Sequence, residues 1–348
     1  MRDIGIIGSW LTVNRTCNMR CRWCYAEGTK YNKDDDMSLE LACQLIDLEA
    51  SLGIKTIVFI GGEPLLWKDL FKINGLAKEK GMSTVLVTNG ALLSSERIME
   101  QIKASAFDSI NISLKAPNKH GYISLTESNT FNQVINGMRD LSKERINFEA
   151  SITLNSLVAN DLYDMVKVAT DAGAASVTIH FCASTLVNGE PNRGTMMNPE
   201  EIVRCVVDNY TAIDQYTHGK FAIQQSLPMC IWPPDFIKLL KEKGQIHFGC
   251  HLMSRNGLVF DSKGSVIPCN CLHGCELGQY GTDFSDTESF GSFWKKEEVA
   301  NFYDQIIAYP AKQCIGCEEY SACGGGCPLQ WFVFKPENII PIRKRGGG

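Results

Sequence analysis

The sequence has 348 residues, of which 44% are apolar and 21% charged, and its formal net charge is -5. This is the composition of an ordinary globular chain, long enough for one large domain or two smaller ones. The slightly acidic balance lacks the basic footprint of a nucleic-acid-binding protein, and no apolar run reaches the roughly 18 residues that suggest a membrane-spanning helix.

The ends of the chain and its cysteines indicate where the protein acts. A short apolar patch from Ile4 to Leu11 has neither the basic segment nor the cleavage site of a secretory signal, so we predict a cytoplasmic protein. Nine of the 15 cysteines lie between Cys230 and Cys327. In a reducing compartment such cysteines are more often metal ligands than disulfides.

Hydrophobic periodicity predicts six strands that alternate with helices in the first half of the chain. Ser38 is expected to cap the helix after the first strand, and Asn160 the helix before the sixth. Strict alternation implies right-handed βαβ units and a parallel sheet, with fewer units than the eight of a closed TIM barrel. The predicted strands span residues 6–14, 55–60, 83–88, 107–114, 147–154 and 176–181.

The pattern changes near residue 225. A helix that begins at Asn198-Pro199 is expected to bridge to the second part, where strands become short, helices few and cysteines dense. The segment around Asp261 to Gly264 reads as the turn of a hairpin. We therefore predict a first domain over residues 1–225 and a second over residues 226–348.

Three cysteines follow the first strand with the spacing C-x3-C-x2-C: Cys17, Cys21 and Cys24. Thiolates this close can converge on one metal centre. A structural zinc site needs four ligands, and the next cysteine, Cys43, falls inside a predicted helix. Three thiolates on a four-iron cluster would instead leave one iron open for a small molecule. From the spacing alone, a zinc site and chance clustering remain alternatives.

A second motif, Gly61-Gly62-Glu63-Pro64, follows the second predicted strand. Together, the two motifs resemble the signature of the radical S-adenosylmethionine (radical SAM) superfamily. The resemblance implies an α/β fold, an open (β/α)6 partial TIM barrel with its active site at the carboxyl ends of the strands. It also implies a 4Fe-4S cluster on Cys17, Cys21 and Cys24. S-adenosyl-L-methionine would bind the open iron and be cleaved to methionine and a 5'-deoxyadenosyl radical.

The resemblance also implies a set of cofactor-binding residues at the strand ends. Two glycines allow close backbone approach, and the Glu63 carboxylate would accept from the methionine ammonium group. Tyr25 matches the aromatic residue that lies by the adenine. For the polar candidates on later strands, the alternative is a satisfied residue of the barrel wall. The predicted cofactor-binding residues are Tyr25, Gly61, Gly62, Glu63, Asn89, Ser113 and Ser151.

The cysteines of the last third resemble a second pattern, the SPASM extension. Cys250, Gly264 and Cys269 fit its first part, C-x(9–15)-G-x4-C, and four later cysteines fit C-x2-C-x5-C-x3-C without deviation. The resemblance implies a SPASM-like domain with two auxiliary iron–sulfur clusters. The implied ligands are Cys250, Cys269 and Cys327 for one cluster, and Cys314, Cys317 and Cys323 for the other.

The sequence departs from the SPASM pattern in two places. No cysteine follows Cys327 here, so we expect Cys271, Cys275 or Cys230 to substitute, or one cluster to have an open or non-cysteine site. The second departure is Asn270, which stands where sulfatase-maturing relatives have an aspartate base. Since an amide cannot take a proton at neutral pH, formylglycine formation is disfavoured.

Several other residues have weaker patterns. His251 and His273 lie among the cluster cysteines and could be ligands. Cys43, Cys182 and Cys205 are expected to be inert buried thiols, and His180 a satisfied residue of the barrel. Loop residues that could touch a substrate at the barrel mouth are Lys115, His120 and Arg193.

We therefore expect a radical SAM oxidoreductase that oxidises, cross-links or epimerises a peptide or protein, assisted by its auxiliary clusters. An electron donor such as flavodoxin or ferredoxin would be a partner. Because the first strand begins within ten residues, leader recognition would need a separate protein or the barrel itself. A small-molecule dehydrogenase or carbon-skeleton enzyme is the alternative. A noncatalytic electron carrier or zinc-stabilised module is disfavoured, since it needs no S-adenosylmethionine motif.

Overall fold

The computed structural model of the chain describes residues 5–26, 33–187, 189–224, 226–306 and 310–339. Six parallel strands, β1 to β6, lie side by side in chain order and form the centre of one large sheet. The elements of this part are β1 Gly8–Asn14, α1 Leu39–Ser51, β2 Thr56–Gly61, α2 Leu70–Glu79, β3 Ser83–Thr88, α3 Glu96–Ser105, β4 Ser109–Leu114, α4 Lys119–Thr126, α5 Phe131–Lys143, β5 Glu149–Leu154, α6 Leu162–Asp171 and β6 Ser176–Phe181.

The later part of the chain extends this sheet at both edges. The later elements are β7 Thr185–Val187, β8 Glu190–Asn192, α7 Pro199–Thr217, β9 Phe221–Gln224, α8 Pro234–Glu242, β10 Ile246–His247, α9 His251–Ser254, β11 Gly257–Phe260, β12 Ser265–Ile267, β13 Gly278–Gln279, α10 Thr287–Phe293, α11 Glu297–Ile306, α12 Tyr320–Cys323 and α13 Pro336–Ile339. Strands β9 and β10 continue the sheet beyond β6, and β11, β12 and β13 continue it beyond β1.

The predicted architecture is confirmed. All six predicted strands are present within two residues of their expected bounds, and the sheet is open, since its edge strands are β10 and β13. Alternate residues of β2, β3 and β4 are buried. The predicted hairpin is present as β11 and β12, and β11 pairs in parallel with β1. The Cys-rich part is thus joined to the barrel by strand pairing.

The observed N-caps confirm one predicted helix start and correct another. The Ser38 hydroxyl accepts from the Leu41 N–H at 3.1 Å, as predicted. Asn160, in contrast, lies within a short 3-10 helix, and α6 begins only at Leu162 with Asp161 as its N-cap.

Helix α4 was not predicted, because its apolar periodicity is weak. Helices α8, α10 and α11 correct the expectation of few helices after residue 230. No helix within the described ranges is long and apolar enough to cross a membrane.

Candidate active site and cysteine clusters

A cavity of about 340 Å³ lies at the carboxyl ends of the central strands. Its wall includes the three cysteines of the first motif, and on β6 and beyond it includes Phe181 and Thr185. This volume is at the small end of the range for ligand sites, enough for one nucleoside-sized molecule. Parallel α/β sheets bind ligands at this edge, since the loops after each strand converge there.

The loop that carries the cysteines is held by backbone hydrogen bonds to the end of α4. The N–H of Arg20 donates to the Thr126 carbonyl at 2.7 Å, and that of Arg22 donates to the Leu125 carbonyl at 3.0 Å. On the other side, Asp36 accepts from the Thr16 hydroxyl at 2.9 Å. These bonds fix the irregular loop from two directions, so its thiols are positioned before any cofactor binds.

Cys17, Cys21 and Cys24 all line this cavity. Burial raises the pKa of Cys17 to about 12. Burial also raises the pKa of Cys21, although the nearby Lys115 ammonium lowers it. Thiolates so placed need a compensating positive charge, which bound iron supplies. The three residues therefore fit the cluster that the motif implies.

The glycines after β2 permit the chain itself to pack closely. A side-chain carbon on Gly61 would collide with Asn14, and one on Gly62 with the Thr16 carbonyl, so only glycine fits at either position. Both glycines line the cavity. The Tyr25 hydroxyl donates to the Gly61 carbonyl at 2.9 Å, which holds this turn against the cysteine loop.

Glu63 lies between the ends of two strands. Its side chain is fully buried and is not among the described residues that line the cavity. Its carboxylate accepts from the Thr88 hydroxyl at 2.6 Å and from the Asn89 N–H at 2.7 Å. It also accepts from the Leu65 N–H at 3.1 Å. Burial raises the pKa of Glu63, and these donors lower it. The carboxylate thus joins the ends of β2 and β3, and contact with the cofactor remains a hypothesis.

Asn89 and Ser113 line the cavity, whereas Ser151 does not. The Asn89 side-chain N–H donates to Asn18 Oδ1 at 2.7 Å and lies 3.9 Å from the Cys17 sulfur, so Asn89 braces the cysteine loop. Ser151 donates to Asn111 Oδ1 at 2.7 Å. This bond is what the alternative interpretation of Ser151 predicts, in which it is a hydrogen-bonded polar residue of the barrel wall.

Three further residues line the cavity: Lys115, His180 and Cys182. Burial, and then the nearby His247, lower the pKa of His180 to about 4, so its ring is neutral at pH 7. Burial raises the pKa of Cys182, which keeps it a thiol. Of the expected loop contacts, His120 is exposed outside this lining, and the Arg193 guanidinium lies over the Phe334 ring at 5.3 Å.

A second group of cysteines adjoins this cavity. Cys271 lines the cavity wall and donates a hydrogen bond to Cys269, which lowers the pKa of Cys269 and raises that of Cys271. Burial, and then the nearby thiols of Cys250 and Cys269, raise the pKa of Cys327. These four cysteines form the inner cysteine group: Cys250, Cys269, Cys271 and Cys327. Burial alone raises the pKa of Cys275, whereas the pKa of Cys271 is also raised by Cys269 and Cys327, which favours Cys271 as the fourth member.

Buried polar atoms without partners surround the inner cysteine group. His251 Nε2, Asn270 Oδ1 and both polar atoms of the Gln330 amide have no hydrogen-bond partner in the described chain. Each of these residues lies within three positions of a cysteine of the group. Buried polar atoms are normally satisfied. Their concentration here fits a bound inorganic group that would face them.

A third group, the outer cysteine group, lines a separate small cavity: Cys230, Cys314, Cys317 and Cys323. In the described ranges, no three Cys, His, Asp or Glu side chains converge closely enough to hold a single metal ion.

A direct bond links a residue just before the first motif to a residue just after Cys271 of the inner cysteine group. Arg15, at the end of β1, is buried, and its Nη2 lies 2.6 Å from His273 Nδ1. Burial, and then the Arg15 charge, lower the pKa of His273, so the neutral ring can accept this bond. Neither Arg15 nor Thr88 was predicted to be a functional residue. The sequence offers one signal for each: Arg15 lies directly before the cysteine loop, and Thr88 lies directly before Asn89.

Comparison with known protein families gives one family match. A family model described as the Radical SAM superfamily matches residues 11–168. An Fe-coproporphyrin III synthase of Methanosarcina barkeri is 30% identical over 331 residues, which cover 90% of this chain and 81% of that protein. An AdoMet-dependent heme synthase of Oleidesulfovibrio alaskensis is 24% identical over 344 residues, covering 94% of this chain and 84% of that protein.

Two solved structures share the fold over most of its length. Streptococcus suis SuiB bound to its precursor peptide SuiA has a TM-score of 0.71 at 13% identity, covering 97% of this chain and 75% of that chain. The protein anSMEcpe with bound AdoMet and the Cp18Cys peptide has a TM-score of 0.69 at 18% identity, covering 92% of this chain and 88% of that chain. At such identities the likeness establishes the fold alone.

Proposed function

Because the chain belongs to the radical SAM superfamily, we propose that it cleaves S-adenosylmethionine and removes hydrogen from a peptide or protein. The observation that carries this proposal is a shared cavity, lined by Cys17, Cys21 and Cys24 and also by Cys271 of the inner cysteine group. When bound, the cluster and S-adenosylmethionine supply a 5'-deoxyadenosyl radical that takes hydrogen from unactivated carbon.

The residues of the cavity would bind and shield the reacting atoms. The turn at Gly61 and Gly62 presents backbone polar groups to the cavity, fixed by Tyr25. Apolar side chains of Ile60 and Phe181 form other parts of the wall. Such a wall keeps water from a reactive intermediate, which would otherwise be quenched.

The position of Cys271 favours a net oxidation. A substrate carbon that loses a hydrogen atom here keeps one unpaired electron. The inner cysteine group would hold an iron–sulfur cluster, and that cluster would supply the acceptor for the electron; with one proton lost to solvent, the substrate would then have lost two hydrogens. Cys271 lines the cavity and is hydrogen-bonded to Cys269, so this cluster would adjoin the substrate. Reducing electrons for the first motif would come from a donor such as flavodoxin or ferredoxin.

The charge of the cavity supports a peptide as the substrate. Among the described residues that line it, Lys115 is the one Lys, Arg, Asp or Glu side chain, and His180 is neutral at pH 7. A substrate with several carboxylates could pair only one of them with a cation among these described residues. A peptide segment needs no matching charges, because its backbone can bond to polar groups such as Thr153 and Thr185. The fold shared with two structures that contain bound peptides agrees with this choice.

An iron-porphyrin is the second candidate substrate. It is favoured by the relatives that cover most of this chain and are named heme synthase and Fe-coproporphyrin III synthase. Lys115 could pair with one of the carboxylates of such a molecule. The absence of further cations from the described lining weighs against it.

The two candidates are separated by anaerobic turnover followed by mass spectrometry. Reconstituted protein is incubated with reductant, S-adenosylmethionine and either a peptide library or Fe-coproporphyrin III. We expect a peptide that is lighter by two hydrogens, with one 5'-deoxyadenosine formed for each product. A changed porphyrin with unchanged peptides would favour the second candidate, and no 5'-deoxyadenosine with any substrate would contradict both.

A further inference from the structure

We propose that Cys230 is the fourth thiolate of the outer cysteine group and closes it into a four-thiolate iron–sulfur site. Three members of this group follow the SPASM spacing, whereas Cys230 lies far before them in the sequence. All four line one small cavity. The proposal concerns the ligands of this site only, so it can fail while radical catalysis at the first motif stands.

The segment that carries Cys230 is fixed against the segment from Cys323 to Cys327. The Cys327 N–H donates to the Ser226 carbonyl at 2.8 Å. The Met229 N–H donates to the Cys323 sulfur at 3.3 Å. A side-chain carbon on Gly326 would lie 3.0 Å from Pro228, so the two segments approach as closely as glycine permits. This contact places Cys230 beside the spaced cysteines.

The competing ligand in this cavity is Glu319. Its carboxylate is the one acidic group among the described residues of the lining, but it forms a 3.1 Å ion pair with Lys241. A thiolate is also the softer ligand and the usual one for iron–sulfur clusters. With Cys230 as the fourth ligand, every iron of a cubane would be thiolate-bound. The site would then transfer electrons or stabilise the fold, without an iron open to substrate.

Cys230 also lies close to a residue that supports the wall of the active-site cavity. Two residues later, the Trp232 ring stacks on Phe181, with 6.1 Å between ring centroids. Phe181 lines the active-site cavity. A ligand bond at Cys230 would therefore fix the segment that supports this part of the wall, because metal binding couples to local folding.

The test compares the iron content and spectra of the reconstituted full chain with those of Cys230→Ser. Two matched controls are Glu319→Gln, which removes the competing ligand, and Cys205→Ser, which alters a half-buried cysteine on α7. A wild type loaded with three cubanes holds about 12 irons. We expect Cys230→Ser to lose iron towards about 8, or to change the Mössbauer and EPR signals of one cluster. Both controls should match the wild type.

Unchanged iron and spectra in Cys230→Ser would overturn the proposal, as would a loss confined to Glu319→Gln. A measurement on the wild-type holoenzyme guards against a variant that does not fold. Cys230 should be alkylated at least about tenfold more slowly than Cys205, and this protection should disappear when iron is chelated. Equal alkylation of Cys230 with and without iron would also overturn it. Formation of 5'-deoxyadenosine, recorded in parallel, reports separately on the proposed function.

Discussion

The Asn89 N–H donates a 2.7 Å hydrogen bond to the Glu63 carboxylate and thereby joins the turn after β2 to the end of β3. The Thr88 hydroxyl donates to the same carboxylate at 2.6 Å. The side chain of Asn89 in turn donates to Asn18 in the cysteine loop. The Glu63 carboxylate therefore supports the geometry of the cavity from behind.

Glu63→Gln should lower the stability of the protein. Glutamine replaces one acceptor oxygen by an N–H group, so a buried N–H or hydroxyl loses its acceptor, at a cost of about 1–3 kcal/mol in the free energy of unfolding. Denaturant unfolding measures this change. Glu100→Gln, at an exposed position on α3, is the matched control. Wild-type stability with weakened S-adenosylmethionine binding would instead support direct contact with the cofactor.

Replacing Cys17, Cys21 and Cys24 together by alanine should remove one cluster and leave the others. The inner and outer cysteine groups lie elsewhere, so iron content should fall from about 12 to about 8 per chain. Iron and sulfide analysis of reconstituted protein measures this change. Cys43→Ala, on α1, should retain the full content. A triple variant that stays folded yet loses all its iron would contradict the assignment of cysteines to separate sites.

The buried carboxyl of Glu49 predicts a pH dependence of stability. Its side chain is fully buried, and neither oxygen has a hydrogen-bond partner in the described chain. Burial raises the pKa of Glu49 from 4.5 to about 8. The Ser9 hydroxyl lies nearby and lowers this pKa somewhat, although it does not reach a hydrogen bond.

Because the folded pKa is raised, this carboxyl is compatible with the fold below pH 4.5, and stability is lost as pH rises from 4.5 to about 8. Glu49→Met should therefore stabilise the protein more at pH 8 than at pH 5, by on the order of 3 kcal/mol. Unfolding by denaturant at both pH values measures the difference. Glu40→Gln, on the exposed side of the same helix, should not produce it. Equal effects of Glu49→Met at the two pH values would refute this account.

Asn270 leads to an expectation about specificity. It is not among the described residues that line the cavity, and its amide cannot act as a base. The wild type should therefore form no formylglycine from a cysteine- or serine-containing sulfatase peptide, whatever its other activity. Mass spectrometry with an aldehyde-reactive probe measures the product. Efficient aldehyde formation would place the protein among sulfatase-maturing enzymes, and Asn270→Asp tests whether a carboxylate restores the reaction.

The sequence alone predicted the barrel because the apolar runs of β2 to β6 alternate regularly with helices, and periodicity depends only on local residues. It also identified three cysteines of each group by their spacing. It could not assign Cys230 to the outer group, since that depends on contact between segments distant in sequence. The buried partners of Glu63 were missed for the same reason. Helix α4, which holds the cysteine loop, has too weak a pattern to be recognised.

The most direct test of the central claim is the amount of 5'-deoxyadenosine that the reconstituted wild type forms from S-adenosylmethionine after anaerobic reduction. Chromatography of the quenched reaction quantifies it, with Cys21→Ala as the inactive comparison and Cys43→Ala as the active one. We expect formation by the wild type and by Cys43→Ala, and none above background by Cys21→Ala. A wild type that is fully loaded with iron but forms no 5'-deoxyadenosine, or an equally active Cys21→Ala, would contradict the account.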